Sequence, residues 1–378
     1  MKFAILLFCL LFSPTSRAQP PIPADVPDLA AESYVLYDYT GNRVLLNKSG
    51  DTRMEPASLT KLMTAYLAFD AIKHNTLALA QQVYVPAAAV RSVKRESRML
   101  LKVGQSVTVD ELLHGLIVQS GSDAAITLAV NIAGSAAGFV DMMNREAKRL
   151  GMTNTHFTSP DGLPDADHYT TASDLVLLAA AIVRDYPQHY AIFSQRSYTF
   201  NNVTQASSNR LLWMDPYADG MKTGYAESAG YCMVASVNRN NHRLISVLFG
   251  ATTDRLRAAE SQRLLNYGYL NFNAVKLYAT NQPVATLKIW KGTQDQLTLG
   301  LRHDVYLTLP KGSLGQLKAN LETRQPIFAP VSGGEQRGVL KLTLNGEPYA
   351  EFPVVALEGV ALANVFSRGW DSIRLLFE

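Results

Sequence analysis

Strands at both ends of a helical middle, followed by a segment that alternates almost throughout, predict an α+β chain. The expected architecture is an antiparallel sheet with a helical cluster, then a small all-β domain and an amphipathic C-terminal helix. Three observations carry this. Residues 33–39 (SYVLYDY) and 43–46 (RVLL) flank Thr40-Gly41-Asn42 as a hairpin, and residues 229–237 and 243–250 form a second strand pair across Asn238-Arg239-Asn240-Asn241. Between the two pairs the periodicity is helical. Past Asn273, segments such as 284–289, 304–309 and 340–344 alternate between Gly or Pro turns.

The elements follow in order. Residues 1–18 have a basic start (Lys2), an apolar run from 3 to 13 and Ser16-Arg17-Ala18 as a small-x-small cleavage signal, so they are expected to be an export leader. The alternative, a retained N-terminal anchor, has a run too short to span comfortably. A helix is expected over 57–73, entered through Pro56, and another over 108–118, opened by Thr108 and Glu111 in capping-box spacing. Ser120-Gly121-Ser122-Asp123 interrupts the apolar pattern, which resumes over 124–133. A helix over 137–150 stops at Gly151. The stretch 152–169 reads as a long loop, and Thr171 with Asp174 caps a helix over 172–184. A last helix of this part spans about 253–269. The expected division is a leader (1–18), a first domain (19–274), a β domain (275–360) and a tail (361–378).

Composition narrows the class. Of 378 residues 47% are apolar and 18% charged, which excludes disorder, collagen and a polytopic membrane protein. The formal charge is +3, and removing Lys2 and Arg17 with the leader leaves 33 basic against 32 acidic residues, or +1. No segment reads as a nucleic-acid patch. Cys9 lies in the leader, so Cys232 stands alone in the mature chain, and a packed thiol in a strand is the expectation.

Three short motifs offer chemistry. Ser58-Leu59-Thr60-Lys61 puts a lysine one helical turn after a serine, so a neutral amine could take the hydroxyl proton. On its own the spacing also fits a surface helix start. Ser120-Gly121-Ser122 exposes hydroxyls where packing prefers apolar side chains. Asp219-Gly220-Met221-Lys222-Thr223-Gly224 leads into the strand region, and Gly224 is expected to let a substrate backbone approach the strand edge.

With these motifs in this order, the chain resembles the serine acyl-transferases that include penicillin-binding proteins and β-lactamases, whose signature is S-x-x-K, S-x-N and K-T-G. The words Glu55-Pro56-Ala57-Ser58-Leu59-Thr60-Lys61-Leu62-Met63-Thr64, Gln119-Ser120-Gly121-Ser122-Asp123-Ala124 and Asp219-Gly220-Met221-Lys222-Thr223-Gly224-Tyr225 are similar to the low-molecular-mass D-alanyl-D-alanine carboxypeptidases in particular. So is Asn154-Thr155-His156-Phe157 running into Asp161-Gly162-Leu163. The resemblance implies a β-lactamase/transpeptidase-like fold and removal of the terminal D-alanine from peptidoglycan stem pentapeptides ending in D-Ala-D-Ala. Ser58 is implied as nucleophile, Lys61 as base, Ser120 as proton relay and Lys222 as its electrostatic partner. Backbone N–H groups of Ser58 and Tyr225 are implied as the oxyanion hole. Ser122, Thr223, Gly224, Tyr225, Arg257 and, more weakly, Arg210 are implied on the substrate side, with Arg257 toward the terminal carboxylate and Arg210 bracing a loop. β-Lactams are implied as covalent inhibitors.

Ser122 departs from the pattern, standing where the family motif has Asn. No cofactor is expected. No metal is expected either, because Asp161, Asp165, Asp167 and His168 lack calcium-loop spacing and the closing Glu. The same loop lacks the motif context of the water-activating glutamate of penicillin-hydrolysing relatives.

In the tail, Leu362, Val365, Phe366, Trp370, Ile373, Leu376 and Phe377 share one arc and Arg368, Asp371, Arg374 and Glu378 the other, with Leu375 the exception. Residues 362–378 therefore read as an interfacial helix on a membrane surface, the alternative being a helix docked on the β domain. The resemblance places the protein on the periplasmic face of the inner membrane as a peripheral enzyme. A D,D-endopeptidase cutting crosslinks and a cell-wall binding protein with a weakened site are the competing functions.

Overall fold

The computed structural model describes residues 25–91 and 97–375, so the expected leader and the tail residues Leu376, Phe377 and Glu378 lie outside the described residues. The chain divides into two compact units, one ending at Ala274 and the other beginning at Val275.

In the first unit, β1 (Ser33–Asp38) and β2 (Arg43–Lys48) form the expected hairpin. The helix expected from residue 57 is in two parts, a 3-10 turn over Ala57–Thr60 and α1 (Lys61–Lys73). Ala57 sits at φ 45°, a left-handed conformation that cannot open a regular right-handed turn. α2 (Val109–Ile117) begins with the Thr108–Glu111 capping box, both halves formed. α3 (Ser122–Ala133) and α4 (Ala136–Arg149) follow, α4 capped by Ser135. After the long loop, α5 (Ala172–Asp185) is capped by Thr171, which accepts from the Asp174 N–H. β3 (Ala218–Ala226), β4 (Gly230–Arg239), β5 (His242–Ala251) and α6 (Asp254–Asn271) complete the unit.

The five strands form an antiparallel sheet in the order β2-β1-β5-β4-β3, closed from both ends of the unit as the element order predicts. Period-two alternation divides its side chains between two cores. Val35, Val234, Ile245 and Val247 pack with the helical cluster, in which Leu62, Met63 and Phe69 of α1 are fully buried. Leu36, Met233, Leu244 and Leu248 pack on Leu264, Leu265 and Tyr267 from α6. α1 is apolar nearly all round because it runs through the middle of the cluster. A fully buried side chain of this kind stabilises by roughly 1.5–3 kcal/mol, so the unit draws its stability from these two cores.

The second unit contains β6 (Phe272–Tyr278, beginning just before the boundary), β7 (Pro283–Trp290), β8 (Gln296–Gly300), β9 (Val305–Pro310), β10 (Leu317–Thr323), β11 (Ile327–Phe328), β12 (Gln336–Leu344) and β13 (Glu347–Ala356). A six-stranded sheet in the order β10-β12-β13-β8-β7-β11 faces the β6-β9 pair across a core of Leu297, Leu299, Leu307, Leu340, Leu342 and Val354. α7 (Val365–Arg374), capped by Asn364, ends the described chain. Its polar side faces the unit, with the Asp371 carboxylate accepting from the Lys291 N–H at 2.6 Å. Its apolar side is open: Val365, Phe366, Trp370 and Ile373 are 70%, 90%, 58% and 51% exposed. No single described helix is long and apolar enough to cross a membrane.

Candidate active site

The three motifs converge at the edge strand β3. The 3-10 turn holds Ser58, and Lys61, the first residue of α1, is almost wholly buried. Lys61 Nζ lies 3.0 Å from Ser58 Oγ and donates to the Asp161 carbonyl at 2.7 Å. The loop predicted at 152–169 thus supplies a backbone acceptor to the lysine. Gly162, at φ 88°, fits there because a Cβ would stand 1.9 Å from the Ala57 carbonyl. Only glycine allows that approach of loop to turn.

Ser120 lies between α2 and α3 at φ 57°. This is a sparsely populated conformation for a residue with a Cβ, held here by its surroundings. The Asp123 carboxylate accepts from the N–H groups of Met99 at 2.9 Å and of Leu101 and Ala124 at 3.0 Å, which fixes the start of α3. Ser122 donates its N–H to the Ser97 carbonyl at 2.8 Å, while its Oγ is buried with no hydrogen-bond partner.

From the other side Lys222 Nζ donates to Ser120 Oγ at 2.7 Å and to the Thr223 carbonyl at 3.1 Å. Burial, then the charges of Lys61 and Arg257, hold the Lys222 ammonium well below the ordinary lysine range. A buried cation facing two others favours its neutral form. Two hydroxyls and two amines therefore form two short pairs, Ser58 with Lys61 and Ser120 with Lys222, each able to pass a proton between its members.

Gly224 adds to the sequence expectation. A Cβ there would meet Cys232 Sγ at 2.8 Å and the Pro56 carbonyl at 3.2 Å, so the glycine faces inward and lets β3 sit against the segment that leads into the Ala57–Thr60 turn. Cys232 is the register partner of Gly224 on β4. It is fully buried, and burial pushes its thiol up to about 12, so it is packing and supplies no thiolate.

Thr223 is buried, with its Oγ1 2.5 Å from Ser208 Oγ, and Tyr225 is exposed beyond it on Tyr231. Arg257 is not a solvated helix arginine. It is buried behind β3, donating to the Gly224 carbonyl at 2.9 Å and pairing with Asp254 at 2.5 Å. Burial lowers its pKa, with Asp254 opposing. Arg210 is largely exposed and pairs with the other oxygen of Asp254, bracing the loop before β3. A cleft of about 290 Å³ opens beside Ser208, Arg210, Trp213 and Asp254.

The structure therefore brings Ser58, Lys61, Ser120, Ser122, Lys222, Thr223 and Gly224 together, sets Arg257 beneath the strand and leaves Arg210 at the rim. The sequence reading missed the carbonyl of Asp161, the Asp123 anchor, and Ser208 with Asp254. None has a motif, since each acts through the backbone or through a partner distant in sequence. Of the loop residues once weighed as metal ligands, His168 is instead buried between Thr60 and Thr158.

Comparison with known proteins agrees with this geometry. The family described as D-alanyl-D-alanine carboxypeptidase matches residues 17–253, and the family described as penicillin-binding protein 5, C-terminal domain, matches residues 272–361. The chain is 38% identical to the D-alanyl-D-alanine carboxypeptidase DacC of Escherichia coli over 98% of its own length and 94% of that protein. It is 33% identical to DacF of Bacillus subtilis over 88% and 86%. The crystal structure of penicillin-binding protein 5 from Haemophilus influenzae superposes with a TM-score of 0.86 at 36% identity, covering 89% of this chain and 99% of that one. The motifs, the site they form and the match along both units together establish that the chain belongs to the low-molecular-mass penicillin-binding proteins of the D-alanyl-D-alanine carboxypeptidase family.

Proposed function

We propose that this serine-type D-Ala-D-Ala carboxypeptidase works through an acyl-enzyme on Ser58, cleaving the terminal D-alanine from stem pentapeptides of peptidoglycan. The 3.0 Å contact between Ser58 Oγ and Lys61 Nζ is the observation that carries the assignment. The Lys61 amine takes the Ser58 proton as Oγ attacks the carbonyl of the penultimate D-alanine. The developing oxyanion is met by the backbone N–H groups of Ser58 and Tyr225, the pair that the family pattern implies, and one such donor is worth roughly 3 kcal/mol. Ser120, held by Lys222, passes a proton to the departing amine as the C–N bond breaks, and the proton that Lys61 took from Ser58 restores the Ser120 hydroxyl. Water then attacks the ester, its proton returns to Ser58 Oγ, and the shortened peptide leaves. β-Lactams enter the same first step, but the nitrogen that leaves the carbonyl stays tethered to the acyl group.

Arg257 supports this chemistry from behind the strand. Its hydrogen bond to the Gly224 carbonyl fixes β3, and its charge favours a negative group near Thr223. We further propose that the protein works at the periplasmic face of the inner membrane after export. There α7 lies on the lipid surface, since its four large apolar side chains point away from the unit that carries it.

Three outcomes are expected. Ser58→Ala abolishes both the penicilloyl adduct seen by intact-protein mass spectrometry and D-alanine release from pentapeptide, with thermal unfolding unchanged; an adduct mapped to another residue would contradict the assignment. Ser122→Asn supplies a carboxamide where a lone hydroxyl now stands without a partner and raises penicillin acylation by more than about twofold, roughly 0.4 kcal/mol; equal acylation and D-alanine release in both proteins would make the two residues equivalent. Deleting residues 362–378 frees the protein from lipid vesicles in flotation while leaving activity on soluble peptide intact, and equal flotation of both forms would reject the surface-helix reading.

A further inference from the structure

The loop between α4 and α5 touches the catalytic turn through its backbone. The Pro160 carbonyl accepts from Thr64 Oγ1 at 2.5 Å and the Asp161 carbonyl from Lys61 Nζ at 2.7 Å, while Gly162 presses against Ala57. Backbone contacts of this kind are available to any sequence in any register. Side chains hold the loop at several points: Asn144 brackets Phe157 through its N–H and carbonyl, Ser159 Oγ accepts from the Gly162 and Leu163 N–H groups, and His168 bonds to the Ala57–Thr60 turn itself.

His168 is 2% exposed. Its Nδ1 accepts from the Thr158 N–H at 3.2 Å and lies 2.9 Å from Thr158 Oγ1, so Nδ1 carries the lone pair. The proton of the neutral ring is therefore on Nε2, which donates to Thr60 Oγ1 at 2.8 Å. Thr60 is fully buried between Ser58 and Lys61. One imidazole thus ties two points of the loop to the turn that carries nucleophile and base, and the Phe157 ring meets it edge-on at 5.8 Å.

We propose that His168 is a positioning residue for the general base: its bonds to Thr60 and Thr158 set the register in which the loop presents the Asp161 carbonyl to Lys61. This rests on the reading of Lys61 as the base that activates Ser58. The clamp works only with the neutral ring, because an imidazolium would turn an Nδ1 proton against the Thr158 N–H. The charged or titratable groups that act on the ring are Asp165 and His156, both on the same loop; the Ala57–Thr60 turn contributes hydroxyls only, with Lys61 next in the chain. Burial dominates and holds the His168 pKa at about 4 against an ordinary 6.5. The open or unfolded chain then binds the proton more tightly, so the clamp is intact above about 6.5 and weakens as pH falls from there toward 4.

The test is the second-order acylation constant of the full chain with a penicillin, followed by mass spectrometry between pH 4.5 and 8. His168→Leu and Thr60→Val should each lower it roughly ten- to a hundredfold through misplacement of the base. The double variant should be no slower than His168→Leu within twofold, since both remove one contact. His168→Gln, which keeps a donor toward Thr60 and cannot be protonated, should recover most of the rate and decline less than wild type between pH 6.5 and 4.5. Circular dichroism identifies folded variants, and Thr60→Val, nearly isosteric, carries the test if His168→Leu does not fold. Folded single variants acylated within twofold of wild type at every pH would overturn the proposal, as would a double variant slowed by the product of the single effects. Lys61→Ala acylated at the wild-type rate would overturn the base assignment beneath it, whatever the His168 variants do.

Discussion

The structure is organised around the cost of keeping the Lys222 ammonium out of water beside two other cations. Lys222 is almost fully buried, its bonds go to a hydroxyl and a carbonyl, and Lys61 and Arg257 both oppose its charge. A buried charge without an opposite partner is strongly unfavourable, and the usual relief is a shift toward the neutral form. An amine shifted in this way gives and takes a proton more readily than a fixed ammonium. Asp254 could neutralise the cluster, yet it is drawn to the far side of Arg257 and shared with Arg210. The carboxylate that balances the arginines is thereby kept off the lysines.

Holding such a site requires rigid walls, and each comes from a different part of the fold. β3 is fixed by its antiparallel register with β4 and by the Arg257 bond to Gly224. The Ala57–Thr60 turn is pressed against β3 through Gly224 and against the loop through Gly162, at distances that no other residue type permits without movement. Ser120 is held in its left-handed conformation by an α3 start that Asp123 anchors with three backbone donors. Ala57, next to Ser58, and Ser120 itself both stand in the left-handed region, which places backbone strain at the two hydroxyl-bearing positions.

Much of this is legible in the sequence. The capping pairs Thr108–Glu111 and Thr171–Asp174 mark their helices because the cap is a local hydrogen bond, and the order of strands and helices gave the sheet closed from both ends. The edge strand Ala218–Ala226 is harder to read: Asp219 pairs with Arg243, Gly220 makes room for Tyr190, Lys222 and Thr223 bond Ser120 and Ser208, and Gly224 makes room for Cys232 and Pro56, so the apolar alternation is broken. The sequence suggests Gly224 as room for a substrate backbone at the strand edge, and the structure adds that its missing Cβ makes room for Cys232 and Pro56. His168 was weighed as a metal ligand because its neighbours in sequence are acidic, whereas its bonds run to Thr60, far away in the chain. Residues that act through partners distant in sequence leave no periodic trace.

The most direct test of this account is the protonation of Lys222 itself, followed by NMR with isotope-labelled lysine side chains and assigned by a Lys222→Arg variant that lacks the signal. Lys222 should titrate well below the ordinary value of 10.5, and the midpoint should rise when Arg257 is replaced by leucine in a protein that remains folded. A Lys222 signal that titrates at the ordinary lysine value in the folded wild-type enzyme would contradict the account, because the three cations would then not share a buried and electrostatically coupled site.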